Sequence, residues 1–223
     1  MNNIYLISGL GADHRVFSHL SIKDYSIQHI HWLTPKDSES LSDYASRISS
    51  QIRDNNPIII GVSFGGILAI EISNILNCER IIIISSAKNS SELPLYYSLA
   101  GRLKLYKFIP RFLLNKYTII ISYLFGTQTH EEDTLLKAII NDTDVIFAKW
   151  AITRILTWNR PQTNYNNLYH IHGTNDRLIP IKNIKNCINV EDGTHFMIVN
   201  KSELINSIIN DLLVSGSQRP AQN

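Results

Sequence analysis

The chain has 223 residues, of which 44% are hydrophobic and 18% are charged, with a formal net charge of +2. This composition is typical of a globular protein with one sizeable core, and it excludes fibrous and disordered classes. The small positive charge gives no reason to expect nucleic acid as a partner. The two cysteines, without C-x-x-C spacing, indicate neither a disulfide framework nor a zinc site, and no cofactor is expected.

Signals for export and membrane insertion are missing from the chain. Its start, Met1 to Ile4, has neither the basic residues nor the long apolar stretch of a secretory signal. No apolar run reaches the roughly 18 residues that a membrane-spanning helix needs. We therefore expect a soluble protein of the cytoplasm.

The first part of the chain predicts two strands and a helix. Residues 4–7 form a short apolar run that ends in a glycine-bearing turn, Ser8-Gly9-Leu10-Gly11. Residues 25–32 alternate between apolar and polar side chains, which indicates a strand near the edge of a sheet. Ser40 resembles the start of a capping box, so a helix is expected to follow it.

A buried strand at residues 58–60 breaks into the motif G-x-S-x-G, with Ser63 at its centre. Apolar residues then recur with helical spacing from Phe64 to Leu76, so a helix with one apolar face is expected there. Strand, sharp turn and helix form the setting in which a nucleophilic serine is held in a strained conformation. A phosphate-binding loop would need a following Gly-Lys-Ser/Thr, which is absent.

Later segments continue the alternation of strands and helices. Strands are predicted at residues 80–84, 168–171 and 186–190, and a helix at residues 196–213. This order indicates an α/β fold with a mostly parallel sheet and helices on both faces.

The predicted domain boundaries follow from where this alternation stops. Residues 1–214 form a single domain, residues 87–167 form a helical insertion that we interpret as a lid, and residues 215–223 form a disordered tail.

A serine hydroxyl needs a base and a group that orients the base before it becomes a good nucleophile. Asp176 and His195 each follow a predicted strand, and the order Ser63, Asp176, His195 is that of serine hydrolases built on open α/β sheets. Each residue has an alternative role, since Asp176 suits a turn and His195 a helix start. Asp192 is the rival acid, and Asp142 and Asp144 in the insertion are weaker rivals.

Backbone amides are expected to stabilise the oxyanion formed when the serine attacks a carbonyl. One donor should be the N–H of Phe64, the residue after the nucleophile. The glycine-bearing turn after the first strand should supply the other, and we assign it to Leu10.

These motifs together resemble the α/β-hydrolase superfamily in its small lipase- or esterase-like form. The resemblance rests on the turn at residues 8–11, on Gly61 to Gly66, on His172 to Pro180 and on Gly193 to Phe196. It implies a triad of Ser63, Asp176 and His195. It also implies a sheet of about six strands, because the chain begins directly at the strand that carries the first turn. Ser8 stands where the family often has histidine.

The pair His170 and His172 lies on a predicted strand, where both rings point to one face. A metal site is not expected, because no further ligands have suitable spacing. We expect one of the two rings to support the turn that carries Asp176.

The insertion is aromatic and basic, with no acidic residue between Leu93 and His130. Three interpretations stay open for it. Its aromatic face packs on the sheet below a solvated basic face, or it is a lid over an acyl pocket, or it rests on anionic lipid. Of these, contact with a membrane surface is not expected.

The sequence thus predicts a serine hydrolase that cleaves an ester, thioester or similar acyl bond of a small, partly apolar substrate. Two alternatives remain, because a fold does not fix the reaction. The same triad can run acyl transfer, carbon–carbon bond hydrolysis or lyase chemistry, or the protein can be a ligand-binding relative with negligible turnover.

Overall fold

A computed structural model describes residues 2–110 and 114–216 of the chain. Six strands form one sheet in the order β2-β1-β3-β4-β5-β6, and every neighbouring pair is parallel. The strands are β1 Asn2–Ile7, β2 Tyr25–His29, β3 Ile58–Val62, β4 Arg80–Ile84, β5 Leu168–Gly173 and β6 Ile188–Val190. The predicted parallel sheet is confirmed, and its carboxyl ends all meet at one edge.

Eight helices occur in the described ranges: α1 Leu41–Ile48, α2 Phe64–Ile72, α3 Leu95–Arg102, α4 Ile119–Phe125, α5 His130–Asn141, α6 Val145–Thr157, α7 Met197–Asn200 and α8 Ser202–Gly216. These helices cover both faces of the sheet. Both faces need a cover because each strand directs alternate side chains to opposite sides. On β3, Ile59 packs in the core with α1 and α2, whereas Ile58 and Ile60 pack in the core with α7 and α8.

Helix α2 differs from the helix predicted for residues 64–76. It ends at Ile72, and all nine of its residues are buried. The expected single apolar face is wrong because the insertion covers the outer side of the helix. There, the indole N–H of Trp158 donates to Glu71 Oε1 over 2.8 Å, and Arg160 pairs with Glu71 Oε2 over 2.6 Å.

The carboxyl-terminal helix is divided in two, where the sequence predicted one helix over residues 196–213. Lys201 leaves the helical conformation, with φ −125° and ψ 29°, and separates α7 from α8. Four polar residues, Asn200 to Glu203, interrupt the apolar pattern at the break, so the sequence carries a sign of it that the prediction did not use. Helix α8 runs to Gly216, past the predicted start of the tail, and residues 217–223 of that tail lie outside the described residues.

The insertion contains α3, α4, α5 and α6, and its described residues form no strand. Trp150 ties α6 to the sheet domain by donating its indole N–H to the Glu39 carbonyl over 2.9 Å. Residues 111–113, part of the basic aromatic segment, lie outside the described residues. No helix in the described ranges is long and apolar enough to cross a membrane.

Glu71 joins the insertion to α2, so its removal tests how the two parts are held together. We expect Glu71→Ala to lower the free energy of unfolding by about 3 kcal/mol, because Arg160 and the Trp158 N–H lose their buried partner. Urea denaturation measures the change. The exposed Asp37 makes no described contact, so Asp37→Ala should change stability by less than about 0.5 kcal/mol. Equal effects of the two substitutions would contradict this role for Glu71.

Candidate active site

Ser63 lies between the end of β3 and the start of α2 in a conformation that residues with side chains rarely adopt, with φ 54° and ψ −120°. Such a conformation costs about 1–3 kcal/mol and persists only where the surroundings impose it. Ser63 N–H donates to the Ile84 carbonyl over 2.9 Å, and the Ser86 hydroxyl donates to the Ser63 carbonyl over 2.7 Å. Both partners come from the end of β4, the neighbouring strand.

The glycines of the motif allow the chain to turn this sharply. A Cβ on Gly61 would lie 2.4 Å from the Gly65 carbonyl oxygen, and a Cβ on Gly65 would lie 2.2 Å from the Ser8 carbonyl oxygen. Neither distance is tolerable between non-bonded atoms, so a larger residue would push apart β3, α2 and the turn after β1.

His195 and Asp176 converge on Ser63 from the ends of other strands. His195 Nε2 lies 2.9 Å from Ser63 Oγ, and His195 Nδ1 lies 2.8 Å from Asp176 Oδ2. An ionised carboxylate only accepts, so Nδ1–H donates to Asp176 and Nε2 accepts the serine proton. The structure thus brings together the three residues that the sequence singled out.

Asp176 is buried, and backbone donors surround its carboxylate. The N–H groups of Leu178 and Ile179 both donate to Oδ1 over 2.9 Å. Burial by itself raises the pKa of Asp176, but His195 and the N–H donor of Ile179 outweigh it and hold the pKa below its usual value. The carboxylate is therefore ionised at neutral pH and fixes the orientation of the imidazole.

The rival acids have other partners. Asp192 is exposed and accepts a hydrogen bond from Asn175, and Asp142 pairs with Arg15 over 2.9 Å. Asp144 caps α6 by accepting from the Phe147 N–H. None of the three contacts His195.

The turn after β1 lies against the serine. Gly9 is so close that a Cβ there would lie 3.4 Å from Ser63 Cβ. Ser8 holds this turn through its hydroxyl, which donates to the Ala12 carbonyl over 2.7 Å and lies 3.0 Å from the donating indole nitrogen of Trp32. A serine and a tryptophan therefore support the turn after β1.

Two backbone amides close to Ser63 in the chain or in the cavity wall have no hydrogen-bond acceptor among the described residues. Leu10 and Phe64 line the same cavity as Ser63. Within residues 2–110 and 114–216, neither N–H donates a hydrogen bond to another group. Backbone N–H groups without an acceptor can donate to a negative charge that develops on a bound substrate.

The two histidines of β5 lie edge to face beside the carboxylate, with His172 Nε2 3.6 Å from Asp176 Oδ2. His170 Nε2 lies 3.1 Å from His172 Nδ1, and His172 Nε2 lies 2.8 Å from the Ile179 carbonyl oxygen. His172 Nε2–H therefore donates to the loop that carries Asp176. Burial lowers the pKa of both rings, which keeps them neutral. No group of three or more potential metal ligands occurs among the residues that the structure describes.

A cavity of about 460 Å³ extends from Ser63 and His195 between the sheet domain and the insertion. Among the residues that the structure describes, no charged side chain lines it, and the polar side chains in its wall belong to Ser63, His195 and Tyr97. The Tyr97 hydroxyl already donates to the Leu178 carbonyl over 3.2 Å. The apolar walls include Leu10, Val16, Leu93, Ile109, Leu114, Ile121, Leu124, Leu136, Ile139, Ile140, Ile152, Ile155, Leu156 and Ile198.

Helix α4 of the insertion also contacts the imidazole. The Phe125 ring packs edge-on against His195 with the ring centres 5.3 Å apart, and the Phe125 carbonyl accepts from the Phe196 N–H over 3.0 Å. Sequence reasoning missed Phe125, together with Ser86 and Trp32. Ser86 stands directly after a predicted strand, so its place beside Ser63 could have been foreseen, whereas nothing local marked the other two.

The buried histidines of β5 predict a dependence of stability on pH. Their folded-state pKa lies below the unfolded value of about 6.5, so the unfolded chain binds more protons as the pH falls below 6.5. We expect the free energy of unfolding to fall between about pH 6.5 and 5, by up to about 1.4 kcal/mol per pH unit for each ring.

Urea denaturation across this pH range measures the slope for the protein and for two variants. His170→Leu should make the slope shallower, whereas His19→Leu, which changes an exposed ring, should leave it as it is. A slope that His170→Leu does not change would exclude the buried ring as its source.

No protein-family model and no curated protein matches the chain by sequence. Solved structures do match it. A carboxylesterase from the thaumarchaeon Nitrososphaera gargenis is 11% identical with a TM-score of 0.71, and the alignment covers 97% of this chain and 91% of that one. An α/β-hydrolase fold protein from Burkholderia ambifaria is 11% identical with a TM-score of 0.69, and the alignment covers 94% of this chain and 90% of that one.

An enol-lactonase from Burkholderia xenovorans is similar at 15% identity and a TM-score of 0.63, with 96% of this chain and 91% of that one covered. Identities this low establish the architecture and not the reaction. With its six parallel strands, its turn at Ser63 and these structural relatives, the chain has the α/β-hydrolase fold.

Proposed function

We propose that the protein is a serine hydrolase that cleaves carboxylic esters or thioesters with an aliphatic acyl group. One observation carries the proposal. The hydrogen-bonded series Ser63, His195 and Asp176 ends at a cavity with apolar walls and two free backbone amides. The related esterase and lactonase structures agree with a hydrolase of this kind.

The reaction begins when Ser63 Oγ attacks the carbonyl carbon of the substrate. His195 Nε2 takes the hydroxyl proton, and the ionised Asp176 stabilises the imidazolium that forms. The amides of Leu10 and Phe64 donate to the carbonyl oxygen as it becomes negative. His195 then returns the proton to the leaving alcohol or thiol, which leaves an acyl group on Ser63.

Water completes the cycle by the same route in reverse. His195 removes a proton from the water as it attacks the acyl-enzyme, and the second tetrahedral intermediate collapses to a carboxylic acid and free Ser63. An alcohol or thiol in place of water would give acyl transfer. Product analysis with and without these acceptors separates the two reactions.

The cavity walls support a preference for the acyl group. Neither a carboxylate nor an ammonium group on the acyl chain would find a charged partner among the described lining residues, all of which are uncharged or aromatic apart from the imidazole of His195. Each methylene buried against the apolar walls contributes about 0.8 kcal/mol. Aliphatic acyl groups longer than acetyl are therefore the expected substrates.

The role of Ser63 is tested by labelling with an active-site-directed phosphonate. We expect the wild-type protein to be labelled and Ser63→Ala to be unlabelled, with a loss of ester turnover on the order of 10⁶. Ser46→Ala changes an exposed serine on α1 and should leave both measurements unchanged. Equal labelling of wild type and Ser63→Ala would overturn the proposed nucleophile.

The acyl preference is tested with a series of p-nitrophenyl esters from acetyl to decanoyl. The ratio kcat/KM should rise about fourfold per added methylene until the cavity is full. Ile152→Trp places a larger side chain in the cavity wall and should lower kcat/KM for long acyl chains but not for acetate. The matched control is Ile146→Trp, an exposed position on the same helix, which should change neither. A preference for acetate in the wild type would contradict an acyl-binding cavity.

A further inference from the structure

Exposed apolar side chains are concentrated on the insertion. Of the 13 large hydrophobic residues exposed in the described ranges, nine lie between Leu95 and Tyr123. Leu95, Phe108 and Ile119 are each at least 80% exposed. A protein surface rarely displays so many apolar side chains together unless another apolar phase covers them.

Helices α3 and α4, which carry part of this surface, both contact the loop that contains Arg177 and Leu178. The Tyr97 hydroxyl of α3 donates to the Leu178 carbonyl, and the Arg177 guanidinium lies 4.0 Å from the centre of the Tyr123 ring of α4. We use the term apolar patch for the nine exposed residues Leu95, Tyr96, Leu99, Leu103, Leu105, Phe108, Ile119, Ile120 and Tyr123.

Helix α4 is apolar on both of its sides. Ile121 and Leu124 line the cavity, whereas Ile119 and Ile120 are 82% and 65% exposed. A helix that is hydrophobic all round is stable where both sides meet apolar surroundings. The cavity supplies one side, and the outer side needs a second apolar contact.

Exposed cations are interleaved with the apolar patch along the chain. Arg102, Lys104, Lys107 and Lys116 are exposed and form no ion pair in the part of the chain that the structure describes. The segment between Glu92 and Glu131 contains basic residues and no acidic residue, so its net charge is more positive than that of the whole chain. The rest of the chain therefore carries a small net negative charge. The positive charge of the protein is thus concentrated around the exposed apolar surface.

We propose that the apolar patch docks on an anionic lipid surface. Apolar side chains ringed by lysine and arginine are the features by which helices lie in the interface of a bilayer that carries negative headgroups. A second copy of the chain fits this surface poorly, because two patches face to face would bring like charges together. Docking would turn the cover of the cavity towards the lipid.

The experiment is cosedimentation with vesicles of phosphatidylcholine alone and of phosphatidylcholine mixed equally with phosphatidylglycerol. It uses the full chain carrying Ser63→Ala, so that binding is read without turnover and does not depend on the proposed reaction. We expect binding to the anionic vesicles, weaker binding in high salt and little binding to phosphatidylcholine alone.

Two sets of variants divide the charge contribution from the apolar contribution. Arg102→Gln with Lys107→Gln should weaken binding to anionic vesicles about 25-fold, because each cation near such a surface contributes a factor of about five. Phe108→Ser with Ile119→Ser should weaken binding to the anionic vesicles, and this loss should remain in high salt, where the charge contribution is screened. The matched controls Lys182→Gln and Leu204→Ser change exposed residues outside the patch and should have no effect.

Three results would overturn the proposal. They are no binding to anionic vesicles, equal loss of binding in the control variants, and a dimer that Phe108→Ser with Ile119→Ser dissociates. Circular dichroism of each variant establishes that the fold is intact, so that a loss of binding reports on the surface alone.

Discussion

The strained backbone of Ser63 is the constraint on which the architecture of the site depends. Its positive φ is maintained because β3, β4 and the turn after β1 approach from three sides, and two of these approaches require glycine. The hydrogen bonds from Ser63 to Ile84 and from Ser86 to Ser63 fix the backbone before and after the side chain. The hydroxyl therefore stands clear of the sheet, where groups from other strands can reach it.

The parallel sheet explains why residues far apart in the chain meet at this hydroxyl. Strands β1, β3, β5 and β6 end at the same edge, and the segments that follow them carry Leu10, Ser63, Asp176 and His195. The buried histidine rings of β5 extend the hydrogen bonds of the site into the core. His172 donates to the loop whose backbone amides hold Asp176. The position of the imidazole thus depends on hydrogen bonds that reach well into the core.

Much of the fold could be predicted from the sequence, because parallel strands and the turn at Ser63 have strong local signals. Residues 58–62 and 81–84 are continuous apolar runs, and G-x-S-x-G has few structural meanings. The error at helix α2 comes from tertiary contacts that a local pattern does not contain, because Glu71 and Trp158 bury the outer side of the helix. The separation of α8 from α7 at Lys201 differs, because it falls in the polar run of residues 200–203, which the sequence does show. The contact between Phe125 and His195 joins residues 70 positions apart, beyond any periodicity.

Through the contact between Phe125 and His195, helix α4 connects the surface of the molecule with the imidazole. One end of the helix supports the ring of His195 through Phe125, and its outer side exposes Ile119 and Ile120 to the surroundings. A displacement of α4 by even one ångström would tilt the imidazole relative to Ser63 Oγ, and misplacements of that size change catalytic rates by orders of magnitude. In the proposed mechanism, the reactivity of Ser63 would therefore respond to contacts on the outer side of this seven-residue helix.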